Sequence, residues 1–455
     1  MGALFNGLEP KNTSGLYRCF FTGPFDCVVR DPQLLKQILS GPTCKYFGRN
    51  ENFKSSGYEI LGDGIFNTEM GSIWKLHRDT LVPFFSKTRS SDVNLDRIDG
   101  MIMTFYECSK TDSAFNIVDR FHKFTFDNSL EFIAGVKSNN SHGECYDNNY
   151  ASEIVQAFEI LFQRAFIRFF LGSFKHIYNA LLYPFKSPKM ALNTIMDKLI
   201  DDALDRKASD NTKAMIKSRD YPTFLDYLVV RVSDRHMLRD QLYNTIVAAR
   251  DSSASILSSI IYQLSEHPEI YREMRNSVIN TLGPNGSPDS TTIMTCPLVG
   301  AIIKETLRFL TPVPIFFRGC KTDTVLKASD GKDYLFPRNS LLMMNFWALQ
   351  RDPDCWGHDA DKWDPFRWLD DRRQKVIDNP VIFLAFGSGP RVCPGQQFVY
   401  QLASIMLARM CQAFQKIERA TDIHPEIFPS YRLILHWKDG IYVRMIPDTN
   451  FNKFA

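Results

Sequence analysis

The stretch Phe386-Gly-Ser-Gly-Pro-Arg-Val-Cys393-Pro-Gly395 decides how this chain is read. Its pattern is F-x-x-G-x-R-x-C-x-G. A cysteine stands in a glycine-rich loop, two residues after an arginine and just ahead of a long apolar segment. Gly389 and Gly395 let the backbone approach another group closely. Amides at the start of a helix stabilise negative sulfur, so Cys393 is placed to act as a thiolate, either as a metal ligand or as a nucleophile. Arg391 adds a positive charge suited to an anion such as a carboxylate.

Three further constellations lie upstream. In Glu305-Thr-Leu-Arg308 the acid and the base share one helix face. Ile302, Ile303, Leu307 and Leu310 surround them, so the pair is expected to be buried, and a buried pair needs a further partner. Arg367, in Asp364-Pro-Phe-Arg367-Trp368, is the candidate. In Trp74-Lys-Leu-His-Arg78, Trp74 and Arg78 also share a face and can donate to one anion. The third is a long helix expected over Asp240–His267 and stopped by Pro268. It is apolar on several sides (Ile246, Val247, Ala248, Ala249, Ile256, Leu257, Ile260, Ile261), as a helix through the centre of a protein would be. Yet it carries Arg250, Asp251, Ser252 and Ser253 at mid-span. Charge there is either paired in a structural salt bridge or used.

Around these motifs the pattern is mostly helical. Short strands are expected at Leu16–Phe21 and Asp26–Arg30, and helices from Pro32 to about residue 280, one of them ended by Pro83. Further helices are expected at Pro268–Leu282, Pro297–Leu310 and Gln396–Ile417. Strands follow through 325–350 and at Leu433–Trp437 and Ile441–Met445, with an irregular stretch at Arg351–Pro380. No repeat or linker divides the chain. The expected fold class is mainly α with a small β region, as a single large domain over residues 1–455.

Composition narrows the function. Of 455 residues, 44% are hydrophobic and 36 are Phe, enough for a large core and an apolar cavity. The net charge of +3, without a dense basic block, argues against nucleic acid. The ten Cys are scattered, with no C-x-x-C pair, which argues for reduced thiols facing a cytosol rather than a disulfide framework or a zinc site. Sequons at Asn12, Asn139 and Asn285 carry no weight. No segment reads as a transmembrane helix or signal peptide. The longest greasy stretch, Val155–Phe185, is interrupted by Arg164, Arg168 and Lys175. It is either an amphipathic element in a membrane surface or a pair of core helices.

Taken in order, these elements resemble the cytochrome P-450 superfamily of haem-thiolate monooxygenases, over essentially the whole chain from Leu16. Leu61-Gly-Asp-Gly-Ile-Phe66, Phe84-Phe85-Ser86, Ala249-Arg-Asp-Ser-Ser253 and Cys393-Pro-Gly-Gln-Gln-Phe398 look most like fungal alkane and fatty-acid hydroxylases, with basidiomycete members nearest. The resemblance implies haem b as cofactor and Cys393 as the thiolate ligand of its iron. It implies that Trp74, Arg78, Arg318 and Arg391 hold the haem propionates and that Phe386 shields the cysteine. Glu305, Arg308 and Arg367 would form a buried triad. Asp251 and Ser252 would deliver protons. Phe66, Ile246, Ala249, Val313, Ile315 and Phe316 would line the substrate pocket.

The implied reaction is R–H + O2 + NADPH + H+ → R–OH + H2O + NADP+. Electrons would come from NADPH–cytochrome P-450 reductase through its FAD and FMN, to a monomer at the cytosolic face of the endoplasmic reticulum membrane. The substrate would be hydrophobic: a fatty acid, an alkane or a terpenoid-type specialised metabolite. Arg372, Arg373 and Lys375 would face the acidic reductase or form an ordinary solvated basic turn. Two other readings stay open: a reductase-independent haem-thiolate isomerase or lyase, and a degenerate haem-binding protein.

The sequence departs from the family pattern in places. Ala249 replaces a glycine, and Ser252 and Ser253 replace a threonine pair. Serine keeps the hydroxyl but lacks the methyl that fixes its rotamer. Gln350 stands where a histidine is common. The anchor and proline-rich hinge of the fungal relatives are not found ahead of Leu16, so membrane contact is expected to be peripheral, through the 155–185 region.

Overall fold

The structure is a computed structural model that describes residues 16–18, 27–85, 95–111, 113–136, 149–182, 187–208, 223–289, 293, 295–431 and 434–451. Cys19, Cys145, Ser86 and the sequons at Asn12 and Asn139 lie outside the described residues. In chain order come β1 (Leu16–Arg18), β2 (Cys27–Val29), α1 (Pro32–Leu39), β3 (Phe47–Gly48), α2 (Glu51–Leu61), α3 (Ser72–Phe84), α4 (Leu95–Ser109), β4 (Phe115–Asn116) and α5 (Ile117–Ala134). Then follow α6 (Asn149–Leu171), α7 (Lys175–Leu182), α8 (Lys189–Ala208), α9 (Phe224–Val229), α10 (Arg235–Glu266), α11 (Pro268–Leu282) and α12 (Pro297–Phe309). After β5 (Ile315–Cys320), β6 (Thr324–Lys327), β7 (Asp333–Phe336) and β8 (Leu341–Asn345), short turns lead to α13 (Gln396–Ala413). The chain finishes with β9 (Phe414–Arg419), β10 (Pro429–Tyr431), β11 (Leu435–Trp437) and β12 (Tyr442–Pro447).

The helix ends follow local chemistry. Asp234 caps α10 by accepting from the amides of His236 and Met237. Pro268 and Pro297 sit in the first turns of α11 and α12, where a missing N–H costs nothing. Gly283 ends α11 with φ 72°. Two expectations need correction. Pro83 lies inside α3, in its last turn, where it removes one ladder bond without breaking the helix. The final helix stops at Ala413 instead of running to Ile417, because Phe414–Arg419 pairs antiparallel with β12.

One sheet has the order β1-β2-β8-β5-β3, with only β2 and β8 parallel. A second, antiparallel sheet has the order β4-β12-β9. The helices enclose two large cores, and α10 runs through both. Its 32 residues span about 48 Å at 1.5 Å per residue. Leu238, Leu242, Tyr243 and Ile246 belong to one core, and Ala254, Ile256, Leu257, Ile260, Ile261 and Leu264 to the other. Arg250–Ser253 lie between them, at a polar seam. The described part of the 155–185 region is divided between core and surface. Phe158, Leu161 and Phe169 of α6 are core, while Phe174, Ile177 and Leu181 are 68%, 62% and 69% exposed.

Candidate active site

Cys393 is held by its backbone. The chain turns through Gly387 and Gly389 at φ 71° and 70°, and a β-carbon on Gly389 would lie 2.0 Å from the Leu39 carbonyl oxygen. Only glycine fits there. The Cys393 amide donates to the Phe386 carbonyl at 3.0 Å, and the Phe386 ring packs against Tyr400 at 5.5 Å. Gly395 precedes the first turn of α13, and its amide hydrogen-bonds the Cys393 sulfur. Cys393 is exposed as a residue, while its thiol is closely surrounded by protein. Burial pushes the Cys393 thiol up; the Gly395 amide and the charge of Arg78 oppose this without overcoming it. A bound cation would tip that balance to thiolate.

Four arginines crowd the same region. Arg78 donates to the Val392 carbonyl at 2.6 Å. Arg391 donates to the Thr68 carbonyl, and its guanidinium lies 5.2 Å from the Trp74 ring centroid. Arg318 donates to the Phe317 carbonyl at 2.9 Å, and Arg49 to the Phe66 carbonyl at 2.7 Å. Burial and the repulsion of Arg391 push Arg318 down to about 9. Burial lowers Arg391 to about 10, with Glu69 opposing and Arg78 adding to the fall. Arg49 falls well below its ordinary value through burial, Arg318 and Arg391. Glu69 sits among them, accepting from the Arg49 amide and pairing with Lys321 at 2.7 Å. The buried Nε of Arg391 has no partner. This excess of desolvated positive charge suits a dianionic group. A thiol beside it suits a metal carried by that group, so the residues present fit haem. Arg49 and Glu69 carry no local motif and are legible only once the chain is folded.

Behind the cysteine loop lies a buried charge network. Arg308 donates to Glu305 at 2.9 and 2.7 Å, and Arg367 reaches the same carboxylate at 3.4 Å. Trp368 and the Asp364 amide donate to it at 3.0 and 2.9 Å. Arg308 also donates to the carbonyls of Gln350, Ala360 and Lys362, each at 2.7 Å. Asp359, unremarked in the sequence, gives Arg367 a second carboxylate at 3.0 Å. Gln350 is fully buried, donating to the Leu307 and Arg308 carbonyls and accepting from the Leu384 amide.

At mid-span of α10, Ser252 donates to the Ala248 carbonyl at 2.7 Å. Asp251 accepts from Arg250 at 2.5 and 3.0 Å. Phe66 is exposed and its amide is held by Asn244 at 3.0 Å. Ala249, Val313 and Ile315 are half-buried. Phe316 is turned onto Phe346 at 4.9 Å. Ile246 has no accessible surface and packs inside one of the two cores. The basic turn also changes meaning, since Arg372 is spent on Asp359, Asp364 and Asp370 within the chain.

The family model for cytochrome P-450 matches residues 11–442. The chain belongs to the cytochrome P-450 family. This P-450 is 29% identical to cytochrome P-450 52-M1 of Starmerella bombicola over 442 residues, covering 91% of this chain and 80% of that one. It is 28% identical to cytochrome P-450 52A1 of Candida tropicalis over 436 residues, covering 92% and 77%. In structure it is similar to a crystal structure of a cytochrome P-450 (CYP102L1), with a TM-score of 0.76 and 22% identity, covering 93% of this chain and 89% of that one. The mainly helical P-450 fold expected from sequence is therefore the observed one, and the enzyme is a P-450 monooxygenase that binds haem iron.

Proposed function

We propose that this P-450 inserts one oxygen atom of O2 into a large apolar substrate of the fatty-acid, alkane or terpenoid kind, with electrons passed from NADPH through a flavin reductase. The observation that carries this reading is the pairing of Cys393, in its glycine-bounded loop, with the buried arginine cluster beside it. Bound there, haem would supply the activation of dioxygen. Cys393 would hold the iron, its charge shared with the Gly395 amide. Arg78, Arg318 and Arg391, joined by Arg49 and bordered by Trp74, would hold the two propionates. Phe386 would keep water from the sulfur. Glu305, Arg308 and Arg367 would fix the frame that carries the loop. Asp251 and Ser252 would move protons inward, and Phe66, Ala249, Val313 and Ile315 would shape the apolar space.

No helix among the described residues is long and apolar enough to cross a membrane. Phe174, Ile177 and Leu181 favour contact with a lipid surface at the cytosolic face of the endoplasmic reticulum, from which apolar substrates would enter. The likeness to fungal P-450s rests on relatives in Starmerella and Candida, and a basidiomycete placement gains no support from them.

The test is a ferrous–CO difference spectrum of the wild type and Cys393→Ala. The wild type should give a Soret band at the thiolate position, and the variant should lose it. A band that survives in Cys393→Ala refutes the ligand assignment. Spectral titrations with fatty acids against terpenoids, followed by turnover with reductase, then separate the substrate classes.

A further inference from the structure

Helix α5 lies along α10, and the Thr125 hydroxyl donates to the Arg250 carbonyl at 2.9 Å. One turn earlier on α5, His122 brings Nδ1 to 3.7 Å from Asp251 Oδ1. That is an ion-pair separation that one water or a small ring rotation bridges. The His122 side chain keeps 33% of its surface exposed, against 19% for Asp251, so the pair steps from solvent toward mid-span of α10. The groups facing His122 are Asp251 and Arg250 from α10, His436 from β11 at a ring separation of 6.1 Å, and Asp119 from its own helix. Burial lowers the imidazole below its ordinary value; Asp251 and Asp119 oppose this, and Arg250 and His436 add to it.

Arg250 already neutralises Asp251 through two hydrogen bonds. Charge balance does not call for a second cation. What the imidazole adds is a proton that comes and goes near neutral pH. We infer that His122 is the solvent-side station of the proton supply to Asp251, a positioning residue that acts through that carboxylate. The inference rests on the oxygen-insertion reading above. His122 Nδ1–H gives its proton to Asp251 Oδ1, leaving a neutral imidazole and a carboxylic acid. Asp251 passes the proton inward and returns to carboxylate, and the imidazole is reprotonated by hydronium or a buffer acid in the bulk solvent. One proton moves in per cycle, and no group is oxidised.

Two measurements decide it. In the full chain with isotope-labelled histidine, the His122 ring should titrate below its ordinary value, and Asp251→Asn should lower it further. An unmoved titration overturns the inference, and this arm needs no His122 variant to fold. In the haem-loaded protein with NADPH and reductase, the ratio of peroxide released to NADPH consumed should rise with pH through the His122 titration. In His122→Gln, checked for an unchanged thermal midpoint and CO band, the ratio should be several-fold higher at low pH and lack that inflection. A wild-type inflection persisting in His122→Gln overturns the inference. A wild type without the thiolate band overturns the oxygen-insertion reading itself, which the His122 titration does not report.

Discussion

Glu305→Gln keeps the shape of the side chain and removes one buried charge. The carboxylate accepts from Arg308 twice, Arg367, Trp368 and the Asp364 amide. A glutamine offers one acceptor oxygen and turns an NH2 group toward those donors. Glu305 and Arg308 are 0% exposed and Arg367 1%, so water cannot replace the lost acceptor. Arg367 then keeps Asp359, while Arg308 is left with backbone carbonyls alone. Breaking a buried pair in this way costs about 3–5 kcal/mol. At about 2.1 cal/mol/K per residue, unfolding this 455-residue chain carries an entropy near 1 kcal/mol/K, so the thermal midpoint should fall by about 3–5 °C. Scanning calorimetry of the haem-loaded protein reads this directly. Lys110→Ala, which removes an exposed pair with Glu107, is the control and should leave the midpoint within about 1 °C. If Glu305→Gln moves the midpoint no further than the control, the network does not carry the load assigned to it.

Gly389→Ala should lower haem occupancy, read from the ratio of Soret to protein absorbance, because a left-handed alanine costs about 1–2 kcal/mol and its methyl meets the Leu39 carbonyl; unchanged occupancy would count against the close approach. Ser252→Thr should raise product formed per NADPH consumed by fixing the hydroxyl rotamer, and equal coupling in both proteins would remove the rationale. Burial works to raise the Glu59 carboxyl, but the hydrogen bonds from Ser187 and Arg168 and the charges of Arg168 and Arg164 hold it below its ordinary value. The tie between α2 and α6 should therefore be complete above the ordinary glutamate value and fade as pH falls through the depressed one, with hydrogen exchange in α2 rising; Arg168→Ala should move that rise to higher pH. Replacing Phe174, Ile177 and Leu181 together with serine should reduce flotation with lipid vesicles while leaving the CO band intact.

The residues most legible in the sequence were those whose job is local. Proline at the starts of α11 and α12, Gly283 at an end, and the acid and base one turn apart on α12 are rules of a single helix. The cysteine loop was readable because its glycines and its thiol are neighbours in the chain. What could not be read depends on partners far along it. Phe414–Arg419 continues the apolar pattern of α13 and becomes a strand only because β12 offers a ladder. Ile246 has the chemistry of either a pocket wall or a core, and tertiary packing alone decides how deeply it is buried. Arg49, Glu69, His122 and Asp359 belong to no motif; folding brings each to a charge more than 100 positions away or across a loop.

As a beam, α10 is clamped along both ends and weak in its middle. Each end is gripped by its own apolar mass, while Arg250, Asp251 and Ser252 between them are tied by side-chain hydrogen bonds. Ser252 bonds back to the Ala248 carbonyl, an arrangement that bends helices. A bend at that point would turn Asp251 and Ser252 while leaving both apolar masses intact.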